Sequence, residues 1–69
     1  MKDHYVILAP SGVSFRDCLL GEGATPALAW LDAYGPECQG KKPKWARTAF
    51  CKAVDMEELE EYRDARANA

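Results

Sequence analysis

The 69-residue sequence predicts a small α+β domain, and three observations lead to this fold class. A continuous apolar run at residues 5–9 is followed by Pro10-Ser11-Gly12, a pattern typical of a strand and a turn. A Thr-Pro pair opens one segment with helical spacing, and an Asp with a Glu three residues later opens another. We expect one domain, residues 1–69, of order β-β-α-β-α. Its three strands should form a mainly antiparallel sheet with both helices on one face.

The first two strands are predicted to form a hairpin. Apolar residues fill the run at 5–9, which indicates burial on both faces and therefore a central strand. Residues 13–16, Val-Ser-Phe-Arg, alternate as in a strand with one buried face. The short connection favours an antiparallel pair, and Gly21-Glu22-Gly23 is expected to end the second strand.

The first helix has clear start and stop signals. Thr25 can accept a hydrogen bond from the first turn, and Pro26 suits the first helical position. Gly35 fits a left-handed cap, and Pro36 blocks continuation. Helical spacing predicts an apolar stripe of Ala27, Leu28, Leu31 and Tyr34. Trp30 and Ala33 lie beside this stripe, and Asp32 lies on the solvent-exposed face. Trp30 is expected in the core, or as an interface anchor if it is exposed.

Residues 45–54 fit either a strand or a helix. A strand would place Ala46, Thr48, Phe50 and Val54 on one face with Lys52 as a flaw, whereas a helix would group Ala46, Phe50, Ala53 and Val54. We favour a strand at about 47–54, because Asp55 and Glu58 resemble a capping box that starts the next helix. Val54 and Leu59 fit its hydrophobic staple.

The final helix is predicted at about residues 56–66. Its apolar side is narrow and consists of Met56, Leu59 and Tyr62, with the stems of Ala65 and Arg66 nearby.

The cysteines and the composition exclude several classes of function. Cys18, Cys38 and Cys51 form no C-x-x-C pair, and the one histidine is His4, so we predict no metal site and no cofactor. Free thiols in a reducing cytoplasm are favoured, and a Cys38–Cys51 bridge stays open. We expect no signal peptide, and the apolar runs of the sequence are too short to span a membrane.

No catalytic motif is recognisable, so an enzyme is not predicted. Ser11 and Ser14 have no base near them in sequence, and His4 lies at the start of the chain, where it is a poor partner for a thiol. The Gly21-Glu22-Gly23 segment before Thr25 could bind an anion through free N–H groups, but Glu22 would repel a phosphate. A turn and a helix cap are the favoured interpretation.

The formal net charge of −2 hides two blocks of opposite sign. Residues 41–52 contain five basic residues and no acidic one, and residues 55–64 contain six acidic residues and one base. The acidic block is either a solvated face or a surface that docks a basic partner, in the way that carboxylates can imitate a phosphate backbone. Its members, taken as candidate partner-binding residues, are Asp55, Glu57, Glu58, Glu60, Glu61 and Asp64.

The basic block combines cations with an aromatic ring that can stack on a base. It is either a solvated loop or an alternative binding patch, and it could also pair with the acidic helix within the chain or across a dimer. The candidate residues are Lys41, Lys42, Lys44, Trp45 and Arg47.

In size and character the chain resembles the small anti-CRISPR proteins of bacteriophages. The resemblance rests on the acidic segment 55–64 attached to a compact α+β body, and on no shared motif. It implies a non-enzymatic phage inhibitor that binds a bacterial Cas effector complex in the host cytoplasm and blocks target DNA binding. Two alternatives stay open: a nucleic-acid-associated regulator that uses the basic residues 41–47, and an assembly homodimer. We expect a monomer or weak homodimer, and we do not favour direct nucleic-acid binding or a membrane.

Overall fold

The computed structural model describes residues 2–10 and 17–67, and its elements follow the predicted order β-β-α-β-α. The strands are β1 (His4–Ala9), β2 (Cys18–Gly23) and β3 (Phe50–Val54), and the helices are α1 (Pro26–Tyr34) and α2 (Met56–Ala67). A short 3₁₀ turn, Pro36–Cys38, follows α1. The predicted alternation at 13–16 and the serines Ser11 and Ser14 lie outside the described residues.

The three strands form one antiparallel sheet in the order β2-β1-β3, so the central position predicted for β1 is confirmed. Val6, Ile7 and Leu8 of β1 are fully buried. Alternate side chains of a strand point to opposite faces, so burial of all three requires cover on both faces of the sheet.

The helices lie on opposite faces of this sheet, and the prediction of both helices on one face was wrong. Val6 and Leu8 pack in one cluster with Leu59 of α2, whereas Ile7 packs in a second cluster with Ala29 and Trp30 of α1. The fold is therefore a three-layer arrangement of helix, sheet and helix. A sheet buried on both faces needs a separate layer for each face.

β2 ends at Gly23, within the segment predicted to end it, but Gly21 and Glu22 still belong to the strand and pair with β1. A Cβ at Gly21 would lie 2.7 Å from the Cα of Ala33, and one at Gly23 would lie 2.7 Å from the backbone nitrogen of Ala29. Because glycine has no side chain, these two positions allow the backbones of the strand and the helix to approach each other closely.

The predicted limits of α1 are confirmed. The Thr25 hydroxyl accepts a hydrogen bond from the Leu28 N–H at 3.2 Å, Pro26 is the first helical residue, and Gly35 has a φ of 84°. The N–H of Gly35 donates to the Leu31 carbonyl at 2.7 Å, which closes the last turn.

The buried side of α1 differs from the predicted stripe. Ala29 and Trp30 are buried and Ala33 packs against them, whereas Ala27 and Leu28 are exposed. The small side chains of Ala29 and Ala33 lie where Gly21 and Gly23 let the helix approach the sheet, so close backbone contact decides which face is buried. Trp30 accordingly lies in the core.

The strand favoured for residues 47–54 is confirmed, but it begins later, at Phe50. Phe50 and Val54 share one face of the strand as predicted, because the register pairs them with Leu8 and His4, but Ala46 and Thr48 do not belong to that face. Ala46 and Ala49 precede the strand and pack on the α1 side, Thr48 is exposed, and Val54 packs on the α2 side. On α2 the predicted apolar residue Leu59 is buried and Tyr62 packs beside it, but Met56 is 61% exposed.

Candidate functional site

Two of the six predicted partner-binding acids serve the fold itself, at the start of α2. A side-chain oxygen of Asp55 accepts a hydrogen bond from the Glu58 N–H at 2.9 Å, as the capping prediction requires. The Glu58 carboxylate does not complete the capping box. It forms ion pairs with Lys52 at 3.0 Å and Lys2 at 3.4 Å, and these cations, the Lys52 hydrogen bond foremost, lower the pKa of Glu58.

The other four acids are exposed on α2 and form one surface. They lie at positions i, i+3, i+4 and i+7 of the helix, which places them on one face. No ion pair joins any of them to a cation within residues 2–10 and 17–67. We call this surface the acidic stripe: Glu57, Glu60, Glu61 and Asp64.

Arg63, the one base among residues 55–64, is bound elsewhere. Its guanidinium donates to both carboxylate oxygens of Glu22 on β2, with the Nε contact at 3.0 Å, and His4 contacts the same carboxylate at 3.2 Å. The hydrogen bond from Arg63, assisted by the charges of Arg63 and by His4, lowers the pKa of Glu22 despite its partial burial. Arg63 therefore forms its salt bridge with Glu22 and none with the acidic stripe, and the Glu22 hydrogen bond, with a smaller contribution from the charge of nearby Glu60, raises the pKa of Arg63.

The sequence interpretation missed this contact of Glu22, because it assigned residues 21–23 to the end of a strand. The register pairs Val6 with Glu22, so both side chains lie on the α2 face. A strand continued through Gly23 would have placed Glu22 under α2, within reach of a cation.

Lys52 interrupts the apolar pattern predicted for β3, and its contacts with α2 account for a cation at this position. The register pairs it with Val6, and its ammonium group donates to the Tyr62 hydroxyl at 3.4 Å in addition to its ion pair with Glu58. The hydrogen bonds to Glu58 and Tyr62 raise the pKa of Lys52. Lys52 thus belongs to the docking of α2 and not to a basic patch.

The other four basic residues of the 41–52 block lie in a loop on the α1 side of the sheet. A hydrogen bond of 3.1 Å from the Ala46 N–H to the Pro43 carbonyl closes a turn whose two central residues are Lys44 and Trp45. Trp45 is 73% exposed, and its ring meets that of Tyr34 edge-on, with centroids 5.1 Å apart. The ammonium group of Lys42 donates to the Arg47 carbonyl at 3.1 Å and so closes the loop.

We call this exposed group the basic loop: Lys41, Lys42, Lys44, Trp45 and Arg47. Ala46 and Ala49 of the same segment pack with α1, whereas the acidic stripe belongs to the helix on the other face. Among the described residues no salt bridge joins the basic loop to the acidic stripe. Each of the two surfaces is open to an external partner.

The three thiols are free. The Cys38–Cys51 disulfide that the sequence left undecided does not form. The Cys38 thiol donates to the Trp30 carbonyl at 3.3 Å, and burial raises the pKa of Cys51, whereas Cys18 is exposed. Within the described ranges no group of three His, Cys, Asp or Glu side chains could hold a metal ion. No helix there is both long and apolar enough to cross a bilayer.

The segment before α1 is not arranged as an anion site. The backbone N–H of Glu22 donates to a carboxylate oxygen of Asp32 at 3.0 Å, so an acid of the chain already occupies this donor. The favoured interpretation as a helix cap agrees with the Thr25 contact.

No family model, curated protein or solved structure matches this chain.

Proposed function

We propose that this protein is a non-enzymatic inhibitor that uses the acidic stripe to dock on a basic surface of a protein partner. The observation that carries the proposal is that Arg63 binds Glu22, so that no salt bridge joins the four carboxylates of the acidic stripe to a cation among the described residues. Like charges at i, i+4 cost a helix a few tenths of a kcal/mol for each pair. A basic partner would offset that cost on binding.

The geometry of the stripe fits a surface that normally binds nucleic acid. Glu57 and Glu61, like Glu60 and Asp64, are one helical turn apart, so carboxylates recur at intervals of about 6 Å along the axis. A rigid row of carboxylates can compete for the Lys and Arg side chains that neutralise phosphates. The partner we propose is a bacterial Cas effector complex, bound at its DNA-binding channel in the host cytoplasm.

The test is capture of purified, guide-loaded Cas effector complexes on the immobilised protein, with capture from a bacterial lysate to identify the bound type. The test variant is Glu60→Gln/Glu61→Gln/Asp64→Asn. Its matched control is Asp3→Asn/Asp17→Asn/Glu37→Gln, which removes the same number of charges outside α2. We expect the stripe variant to lose at least about tenfold in affinity and the control to keep its affinity.

Glu58 is kept in both proteins, since its ion pairs with Lys52 and Lys2 belong to the fold. Equal affinity of the two variants for the effector would refute docking through the stripe. Capture of no effector, combined with a sedimentation coefficient that rises with concentration, would favour the homodimer instead.

A single reversal, Glu61→Lys, separates binding from stability. It replaces the repulsion between residues 57 and 61 by an attractive Glu-to-Lys pair at i, i+4, so we expect about 0.5 kcal/mol higher stability in urea unfolding. The same variant should bind the partner less tightly. Loss of both properties together would instead mean that Glu61 supports the fold.

A further inference from the structure

The basic loop carries a separate binding site, for which the fold provides both a rigid aromatic ring and a set of cations. Ala46 and Ala49 are 7% and 2% exposed and fix the loop to the core, and the turn between Pro43 and Ala46 holds Trp45 outward. Trp45 is 73% exposed at the tip of this turn, so most of its indole ring is accessible to a ligand.

Trp45 is the outer member of a chain of three aromatic rings. Trp30 is buried and stacks on Tyr34 with centroids 6.0 Å apart, and Tyr34 in turn meets Trp45 edge-on. The edge-on contact restrains the indole while leaving most of it open. A restrained ring costs less entropy to use in binding than a freely rotating one.

The charges around the ring select the partner. No Asp or Glu occurs between residues 38 and 54, and the four cations of the basic loop are exposed. Lys42 is additionally held by the Arg47 carbonyl, which keeps cations on both sides of the turn. Cations beside an exposed aromatic ring suit a ligand that alternates negative charge with flat rings.

We infer that the basic loop binds single-stranded nucleic acid, with a base stacked on Trp45 and phosphates neutralised by Lys41, Lys42, Lys44 and Arg47. Stacking on an aromatic side chain is tolerant of sequence, and the loop has no element of the size that reads a duplex groove. This surface lies on the α1 side of the sheet, so it works independently of the acidic stripe.

The test is a fluorescence-anisotropy titration of a labelled oligothymidylate about ten nucleotides long. Trp45→Ala should weaken binding by about tenfold, the effect expected for one lost base stack, whereas Trp45→Phe should keep most of the affinity. Met56→Ala is the matched control, because Met56 is also exposed but lies on the α2 side. It should leave the affinity unchanged.

The cations are tested through the salt dependence of the same titration. For single strands the slope of log affinity against log salt is about −0.7 per neutralised phosphate, so Lys44→Gln should make the slope shallower by about 0.7. Arg66→Gln on α2 should not alter it. The stripe variant Glu60→Gln/Glu61→Gln/Asp64→Asn should bind the oligonucleotide at least as tightly as the parent protein, even if it loses its protein partner.

Three results would overturn the inference. The first is no binding of oligothymidylate at low salt. The second is an affinity that Trp45→Ala leaves unchanged, which would mean general attraction of a polyanion. The third is equally strong competition by a polyglutamate peptide, which would assign the loop to an acidic protein surface.

Discussion

At the scale of single residues, Glu22 makes several tertiary contacts that the local sequence does not predict. Its carboxylate accepts hydrogen bonds from Arg63 of α2 and contacts the ring of His4 of β1. Its backbone N–H donates to the carboxylate of Asp32 of α1. One residue of β2 therefore contacts both helices and the central strand. Its polarity is useful on this face because a cation from α2 lies above it.

The lowered pKa of Glu22 predicts a loss of stability in acid. Because its pKa in the folded protein lies below the ordinary value of 4.5, ionised Glu22 stabilises the fold above that pH. The contribution is lost as the pH falls through the lowered pKa. Urea unfolding at about pH 7 and about pH 3 should therefore show a smaller difference in stability for Glu22→Gln than for the parent protein.

Glu37→Gln is the control for this measurement, because Glu37 is an exposed carboxylate without an ion pair among the described residues. It should keep the parent difference between the two pH values. An unchanged difference in Glu22→Gln would contradict a stabilising role for its charge.

At the scale of elements, the contact between β2 and α1 depends on small residues on both sides. Gly21 and Gly23 face Ala33 and Ala29, and the strand and helix backbones approach within the space that a side chain would need. The two large apolar residues nearest the start of this helix, Leu28 and Trp30, consequently differ in burial: Leu28 is 50% exposed and Trp30 only 8%.

This contact predicts that Gly21→Ala is destabilising. The new Cβ would lie 2.7 Å from the Cα and 2.8 Å from the Cβ of Ala33, so α1 must shift, at a cost of about 1–3 kcal/mol. Urea unfolding measures the loss. Ala24→Ser, at an exposed site beside the strand, is the control and should change stability by less than about 0.5 kcal/mol.

An unchanged midpoint for Gly21→Ala would mean that the helix is not held against the strand at this point. The helix limits, by contrast, were predictable from Thr25, Pro26, Gly35 and Asp55, since capping and termination use groups that are adjacent in sequence. The buried face of α1 was not predictable in this way. It depends on the close contact of α1 with Gly21 and Gly23, which belong to a different element.

At the scale of the whole molecule, β1 is the centre of a three-layer fold. It hydrogen-bonds to a strand on each side and is covered by α1 on one face and α2 on the other. The acidic stripe and the basic loop consequently belong to different layers of the fold.

The layering predicts a gradient of hydrogen exchange. Amide protons of Val6, Ile7 and Leu8 should exchange most slowly, because their release requires the sheet to open beneath both helices. Amide protons in the second half of α2, which is held by Tyr62 and Arg63, should exchange sooner. Native-state exchange followed by NMR checks the order, and faster exchange in β1 than in α2 would contradict the three-layer arrangement.

The sequence by itself determined the features that depend on neighbours along the chain. The order of elements, the limits of α1, the cap at Asp55 and the two blocks of opposite charge all follow from short-range patterns. Continuous burial in β1 even implied a layer on each face. The prediction of both helices on one face is inconsistent with that burial, and the structure has one helix on each face.

Only the tertiary structure decided how the charges are used. The sequence distinguishes Asp55 as a helix cap, but it does not show that Glu58 binds Lys52 and Lys2 while the other four acidic residues of the block stay exposed. Arg63 binds Glu22 of β2, which is 41 residues away along the chain, and not an acidic residue of its own helix. Charge pairing depends on distance in space, which a local pattern does not contain, so the acidic stripe is a product of the fold.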